Sequence, residues 1–128
     1  MVMAGKNART LRIEAELQRV LSDLIRREVR DPRVGAVTIT AVSAAPDMSV
    51  VTVSFVPFGT THEPAEVAAG LNRAAGFLRG EVGRRTGLRH APKLEFEYDE
   101  TIERADRLTN LIDSAIRQDH ATHLDDDP

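Results

Sequence analysis

Apolar residues recur every three or four positions through the first quarter of the chain. Ile13, Leu17, Val20, Leu21 and Leu24 fall on one side of a helix predicted over residues 8–30. Asp31-Pro32 stops it, because the residue before a proline is pushed out of the α region. The period then changes to two. Residues 36–45 (AVTITAVSAA) alternate β-branched and small residues, as a strand does. Ala45-Pro46-Asp47 is turn chemistry, and residues 49–57 (SVVTVSFVP) form a second strand with Val51, Val53 and Phe55 on one face. The two make an antiparallel hairpin, whose second strand Pro57 is expected to end early.

Helical spacing resumes after the loop FGTTHEP. Pro64 suits a first helical turn, with Glu63 and Glu66 near the positive end of the dipole. Val67, Leu71 and Ala74 mark a buried stripe that continues through Phe77, Leu78 and Val82. Ala75-Gly76 lies between the two halves. Glycine inside a helix costs about 1 kcal/mol relative to alanine, so a break or bend is expected there. Gly87 ends the second half, and Pro92 precedes a third strand, KLEFEY, with Leu94, Phe96 and Tyr98 pointing one way and Glu95 and Glu97 the other. Thr101–Ile116 forms a last helix with Ile102, Ala105, Leu108, Leu111, Ile112 and Ile116 as its apolar side.

The order α-β-β-α-α-β-α predicts an α+β fold, a three-stranded sheet with helices packed on one face, plus a C-terminal helix. The expected division is a flexible N-terminus (1–7), one folded domain (8–99), the C-terminal helix (100–117) and a disordered acidic tail (118–128). At 128 residues the chain buries roughly two-thirds of its unfolded surface and needs no staple. It has no cysteine, which removes disulfides, thiolate metal sites and cysteine catalysis. Charges at Lys6, Arg9, Arg12, Glu14 and Glu16 interrupt any signal-like apolar run, and no stretch reaches a membrane span, so the expected location is cytoplasmic.

Charge changes the picture more. The net charge of −3 divides into +5 over residues 1–93 and −8 over residues 94–128. A basic body with an acidic tail points either to a polyanionic partner or to simple solubility. Catalytic motifs are missing: there is no HExxH, GxSxG, Walker loop or EF-hand loop. His62 reads as a loop residue, and His90 as a turn residue that could touch phosphate. His120, His123 and Asp125–Asp127 make a poorly organised metal site, and Asp99, Glu100 and Glu103 suit a helix start better than acid–base chemistry. No enzyme activity, cofactor, metal or small-molecule substrate is expected.

The cations have a pattern. Arg12, Arg19 and Arg26 lie seven apart, with Arg30 one turn further, and this stripe faces away from Leu17 and Leu24. Glu16 and Asp23 are placed to pair with part of it, though four arginines against two acids leave a surplus. Such exposed pairs yield readily to phosphate. A second set is Arg73, Arg79, Arg84, Arg85, Arg89 and Lys93, opposed only by Glu81. Arginine suits phosphate because its planar fork donates two hydrogen bonds at once. Either set can equally be a soluble helix face. The few aromatics, Phe55, Phe58, Phe77, Phe96 and Tyr98, fit the core better than a base-stacking surface, which favours recognition of folded RNA by shape.

Four segments together, RDPRVGAVTITAV (30–42), PDMSVVTVSF (46–55), AAGFLRGEVGRRTGLRHAPKLEFEYDET (74–101) and RADRLTNLI (104–112), resemble the ribosome-binding factor A family over about residues 8–116. The resemblance implies a bacterial-type KH-like domain (αββααβ) in a cytoplasmic, non-catalytic factor. It implies binding to the free 30S subunit and its 16S rRNA, help with late 16S maturation including the 5′ end, and support of growth in the cold. A monomer is expected. Ordinary KH domains hold nucleic-acid backbone with a GxxG loop, where glycines let N–H groups approach phosphate. The family has a kink of the form Ala-x-Gly in its place, matched here by Ala74-Ala75-Gly76. Gly76 then either contacts phosphate or serves close helix packing. The literal Gly80-Glu81-Val82-Gly83 lies inside a helix and carries an acid, so it reads as a decoy. A general KH-like RNA-binding module and a protein–protein adaptor are the competing functions.

Overall fold

A computed structural model describes the backbone of residues 6–126 and the side chains of residues 6–119. Its elements are α1 (Ala8–Glu28), β1 (Ala36–Ala44), β2 (Val50–Phe58), α2 (Pro64–Arg73), α3 (Ala75–Thr86), β3 (Lys93–Tyr98) and α4 (Thr101–Asp126). The chain falls into two compact units, divided between Tyr98 and Asp99.

In the first unit the sheet order is β1-β2-β3, with β1 antiparallel and β3 parallel to the central β2. The parallel step needs a crossover, which α2 and α3 supply. The core is the stripe of α1 (Leu17, Val20, Leu21, Leu24, Ile25), Val51, Val53 and Phe55 of β2, Leu94 and Phe96 of β3, and Val67, Leu71, Leu78 and Val82 of the crossover. Phe55 is fully buried at the centre and meets Tyr98 edge-on at 6.3 Å between ring centroids. Glu95 and Glu97 are exposed, as the alternation of β3 requires.

Tertiary neighbours alter several sequence expectations. The helix ends at Glu28, with Val29 already extended (φ −84°, ψ 118°), so Arg30 lies beyond α1 and not on its stripe. A bulge at Thr40 shifts the pairing from Ile39↔Phe55 to Ala41↔Ser54. That one extra residue explains why Ile39 points inward and then Val42 and Ala44, against strict alternation. Pro57 does not end β2; it pairs with Val37, and the strand runs to Phe58. This costs no bond to β3, whose pairing has stopped at Phe55↔Tyr98.

The N-terminus expected to be flexible is partly held. Asn7 caps α1, its side chain accepting from the Thr10 N–H at 2.8 Å, and Lys6 donates to Glu14 and to Ser43. Residues 1–5 lie outside the described residues. Glu14 is the buried charged residue of α1, and its carboxylate accepts the Ala44 N–H at 2.8 Å. Burial pushes this carboxyl up, but the Ala44 N–H and the Lys6 ammonium outweigh it and leave it below the usual value. We therefore expect Glu14→Leu to cost about 1–3 kcal/mol in urea unfolding at neutral pH, since the Ala44 N–H loses its acceptor. A depressed carboxyl stabilises the fold above its unfolded value and ceases to do so as pH falls through its folded value. The gap between variant and parent should therefore narrow in acid.

The second unit is α4. Asp99 accepts from the Thr101 N–H at 2.9 Å and Arg104 pairs with Glu100 at 2.8 Å, the helix-start chemistry expected of this acidic cluster. The helix continues ten residues past Ile116 to Asp126, where the sequence suggested a disordered tail from 118. Asp127 and Pro128 lie outside the described residues. Ile102, Leu108, Leu111, Ile112 and Ile116 are all exposed.

Candidate nucleic-acid interface

All ten sequence-predicted cations are exposed: Arg12, Arg19, Arg26, Arg30, Arg73, Arg79, Arg84, Arg85, Arg89 and Lys93. On α1 the burial of Leu17, Leu21 and Leu24 forces Arg12, Arg19 and Arg26 outward. The pairing differs from the helical-spacing estimate. Neither Arg12 nor Arg19 pairs with an acid among the described residues, so Glu16 neutralises neither. Asp23 gathers Arg26 and Arg27 at 3.0 Å each and reaches across to Arg85 of α3 at 2.9 Å. The Arg85 hydrogen bond, with the charges of Arg27, Arg85 and Arg26, holds the Asp23 carboxyl below its ordinary value. One acid shared by three arginines joins the end of α3 to the α1 stripe and leaves the surface cationic.

The second set is divided by the joint between α2 and α3. The break falls at Ala74, whose N–H is shared between the Gly70 and Leu71 carbonyls (3.2 and 3.1 Å). On one side of the joint, Ala75, Gly76, Arg79 and Lys93, with the acids Glu95 and Glu97, line a depression of about 630 Å³ along the outer edge of β3. Arg79 is held there by donating to the Ala91 carbonyl at 2.9 Å. Asn72 closes part of that edge, accepting the Phe96 N–H at 2.9 Å and donating to the Phe96 carbonyl at 3.1 Å. On the other side, Ala74, Arg30, Arg73 and Phe77 line a second depression of about 240 Å³. So the structure places two predicted cations on each side of the Ala74-Ala75-Gly76 kink. Arg84 faces elsewhere and pairs with Glu81, Lys93 stands 3.8 Å from Glu95, and Arg89 has no acidic partner among the described residues.

The surroundings of Gly76 bear on the close-packing reading of the kink. A Cβ built there meets nothing within 4 Å, so close helix packing does not explain this glycine. The close approach is at Gly70, which the sequence pattern did not single out. A Cβ at Gly70 would come within 2.9 Å of Val34 Cγ2, so α2 can cross the 31–34 turn only without a side chain. In that turn Arg33 donates to Asp31 from Nε (3.0 Å), Nη2 (2.7 Å) and its amide (2.9 Å), which drives the Asp31 carboxyl far below the carboxylate range. The GEVG segment lies inside α3, with Val82 buried and Glu81 engaged by Arg84.

The aromatics divide. Phe55 and Phe96 are core as expected, but Phe58 is 56% and Phe77 50% exposed. The sequence counts Phe77 in the buried stripe, but it lies roughly a third of a turn from Leu71, Leu78 and Val82 and faces outward. His62 sits 3.2 Å from Glu66 at the start of α2, and His90 is exposed. Among the described residues no cluster of metal-binding side chains occurs, and the side chains of His120, His123 and Asp125–Asp127 lie outside them. No helix of the described chain is long and apolar enough to cross a membrane.

The fold is an α+β domain with αββααβ order, whose helix–helix kink is flanked by Arg30, Arg73, Arg79 and Lys93 and by the acids Glu28, Asp31, Glu95 and Glu97. The chain belongs to the ribosome-binding factor A family, whose profile matches residues 9–112. A ribosome-binding factor A of Thioalkalivibrio sulfidiphilus is 48% identical, covering 94% of this chain and 93% of that protein. The crystal structure of ribosome-binding factor A from Thermus thermophilus matches with a TM-score of 0.64 at 32% identity, over 70% of this chain and 93% of that one. A homology model of the Thermus thermophilus factor, fitted into a cryo-EM map of a 30S complex, matches with a TM-score of 0.59 at 33% identity, over 69% of this chain and 92% of that one.

Proposed function

We propose that this chain is a ribosome-assembly factor that binds the free 30S subunit through 16S rRNA. In this reading the α1 stripe, Arg85 and the cations flanking the kink meet rRNA phosphates, and Gly76 lets RNA backbone approach α3 closely. The observation that carries it is the open space at Gly76 beside two predicted cations on each side of the kink, where Arg33 already occupies Asp31, one of the four acids lining the two depressions. The fitted 30S complex of the Thermus thermophilus relative supports the choice of particle. Resemblance to the family supports the finer parts: a KH-like domain acting as a cytoplasmic monomer, without catalysis, in late 16S maturation including the 5′ end, and in growth in the cold.

Cosedimentation tests the reading. The chain should travel with free 30S particles and not with 70S ribosomes; equal binding to both, or to any RNA, favours a general RNA-binding module. The exposed apolar row of α4 favours a protein contact as a second reading, and binding indifferent to salt would support it. Gly76→Val should weaken 30S binding by about 10- to 100-fold, the value of one charge-assisted backbone contact. Its thermal melt should stay close to the parent's, because a Cβ there meets nothing within 4 Å and valine costs a helix no more than glycine does. Gly80→Ala should bind as the parent does; the reverse ranking would make GEVG the contact segment.

A further inference from the structure

The depression between the end of α1 and the kink combines features that phosphate binding alone does not use. Phe77, in the first turn of α3, leaves half its surface in solvent. Beside it stand Arg30 and Arg73, both exposed and neither within ion-pair distance of a carboxylate among the described residues, though the Arg73 charge helps to hold the Asp31 carboxyl low. The acids of the rim are Glu28 and Asp31, and Asp31 is occupied by three hydrogen bonds from Arg33. With Arg33 counted, three arginines face two carboxylates. The wall is closely packed, since α2 lies against Val34 at Gly70 with no space for a side chain.

Each class of ligand uses this surface differently. A sugar–phosphate backbone would satisfy the guanidinium groups and leave the ring in water. An apolar side chain would cover the ring but strip water from two cations without pairing them, which is costly. A nucleotide uses both, because its base has a π-face for the ring and its phosphates suit the arginine forks. A base inside a duplex has its faces covered by neighbours, so the ligand must be unpaired or turned out of the stack.

We infer that this depression is a base site, in which one unpaired RNA nucleotide stacks on Phe77 while Arg30 and Arg73 hold its flanking phosphates; this rests on the RNA reading above. It departs from recognition by shape alone, because the contact selects a place where the RNA is open.

The chain has no tryptophan, so Phe77→Trp supplies a single reporter at the site. A short single-stranded oligoadenylate should quench its emission in the full-length protein, and a duplex of equal length should do so far less. Phe77→Ala should bind the free 30S subunit about tenfold more weakly with an unchanged salt slope, and Phe77→Tyr should keep parental affinity. Circular dichroism melts check that each variant is folded. Parental affinity in Phe77→Ala, or a blue shift without quenching when the Trp variant meets the 30S subunit, overturns the base site. If Arg30→Glu with Arg73→Glu still weakens binding in that event, the RNA reading stands without it. If 30S binding proves independent of salt, the RNA reading itself fails.

Discussion

Arg19→Glu combined with Arg26→Glu is expected to lower affinity for the free 30S subunit by about 100-fold near physiological salt. Each arginine taken from a phosphate at ~0.15 M salt reduces affinity about sixfold through forfeited counterion release, so two removals give roughly 30-fold. Reversal adds repulsion between the new carboxylates and the phosphates. The fold should survive. Both side chains are exposed on the outer face of α1, and Asp23 keeps Arg27 and Arg85 when Arg26 is replaced. Filter binding or cosedimentation reads the affinity, and an unchanged circular dichroism melt excludes unfolding. Parental binding by this variant would remove α1 from the interface.

Phe55→Ala should have the largest effect on stability. Phe55 is fully buried in the central strand, pairs with Ile39 on one side and Tyr98 on the other, and meets the Tyr98 ring edge-on. Truncating a buried phenylalanine costs about 3–5 kcal/mol from forfeited transfer energy and the cavity left behind. Small domains have about 5–15 kcal/mol in all, so this is a large share. The urea midpoint should fall with an unchanged slope, and Tm should drop by roughly 10–25 °C. Binding to the 30S subunit should weaken only in proportion to the unfolded fraction, which separates this variant from the arginine reversals. A loss below about 1 kcal/mol would mean that β2 does not organise the core as described.

Periodicity made most of the fold legible. Leu17, Leu21 and Leu24 marked α1, Val51, Val53 and Phe55 marked β2, and Pro and Gly punctuation separated the elements. What was not legible depends on neighbours distant in sequence. Glu14 reads as a surface acid until β1 brings the Ala44 N–H to it. The bulge at Thr40 is a matter of register against β2, not of residue type. Pro57 is tolerated because β3 is shorter than β2, and strand length across a sheet is not written beside the proline. Of the site, the exposure of α1's arginines followed from the stripe opposite them. Their pairing did not, because Asp23 finds Arg85 across a helix interface 62 residues away. Phe77 was misplaced because it lies roughly a third of a turn from Leu71, Leu78 and Val82, which make one continuous stripe across the joint.

A salt titration of 30S binding bears most directly on the central claim. Arg12, Arg19, Arg30, Arg73 and Arg89 form no ion pair with a carboxylate among the described residues. If each of these, and Arg26 once it leaves Asp23 to Arg27 and Arg85, meets a phosphate, log affinity should fall linearly with log salt with a slope of about −5. The Arg19→Glu, Arg26→Glu variant should show a shallower slope by about 2. An affinity that stays flat as salt rises, with parent and variant alike, would contradict phosphate docking and leave the exposed face of α4 as the surface to explain.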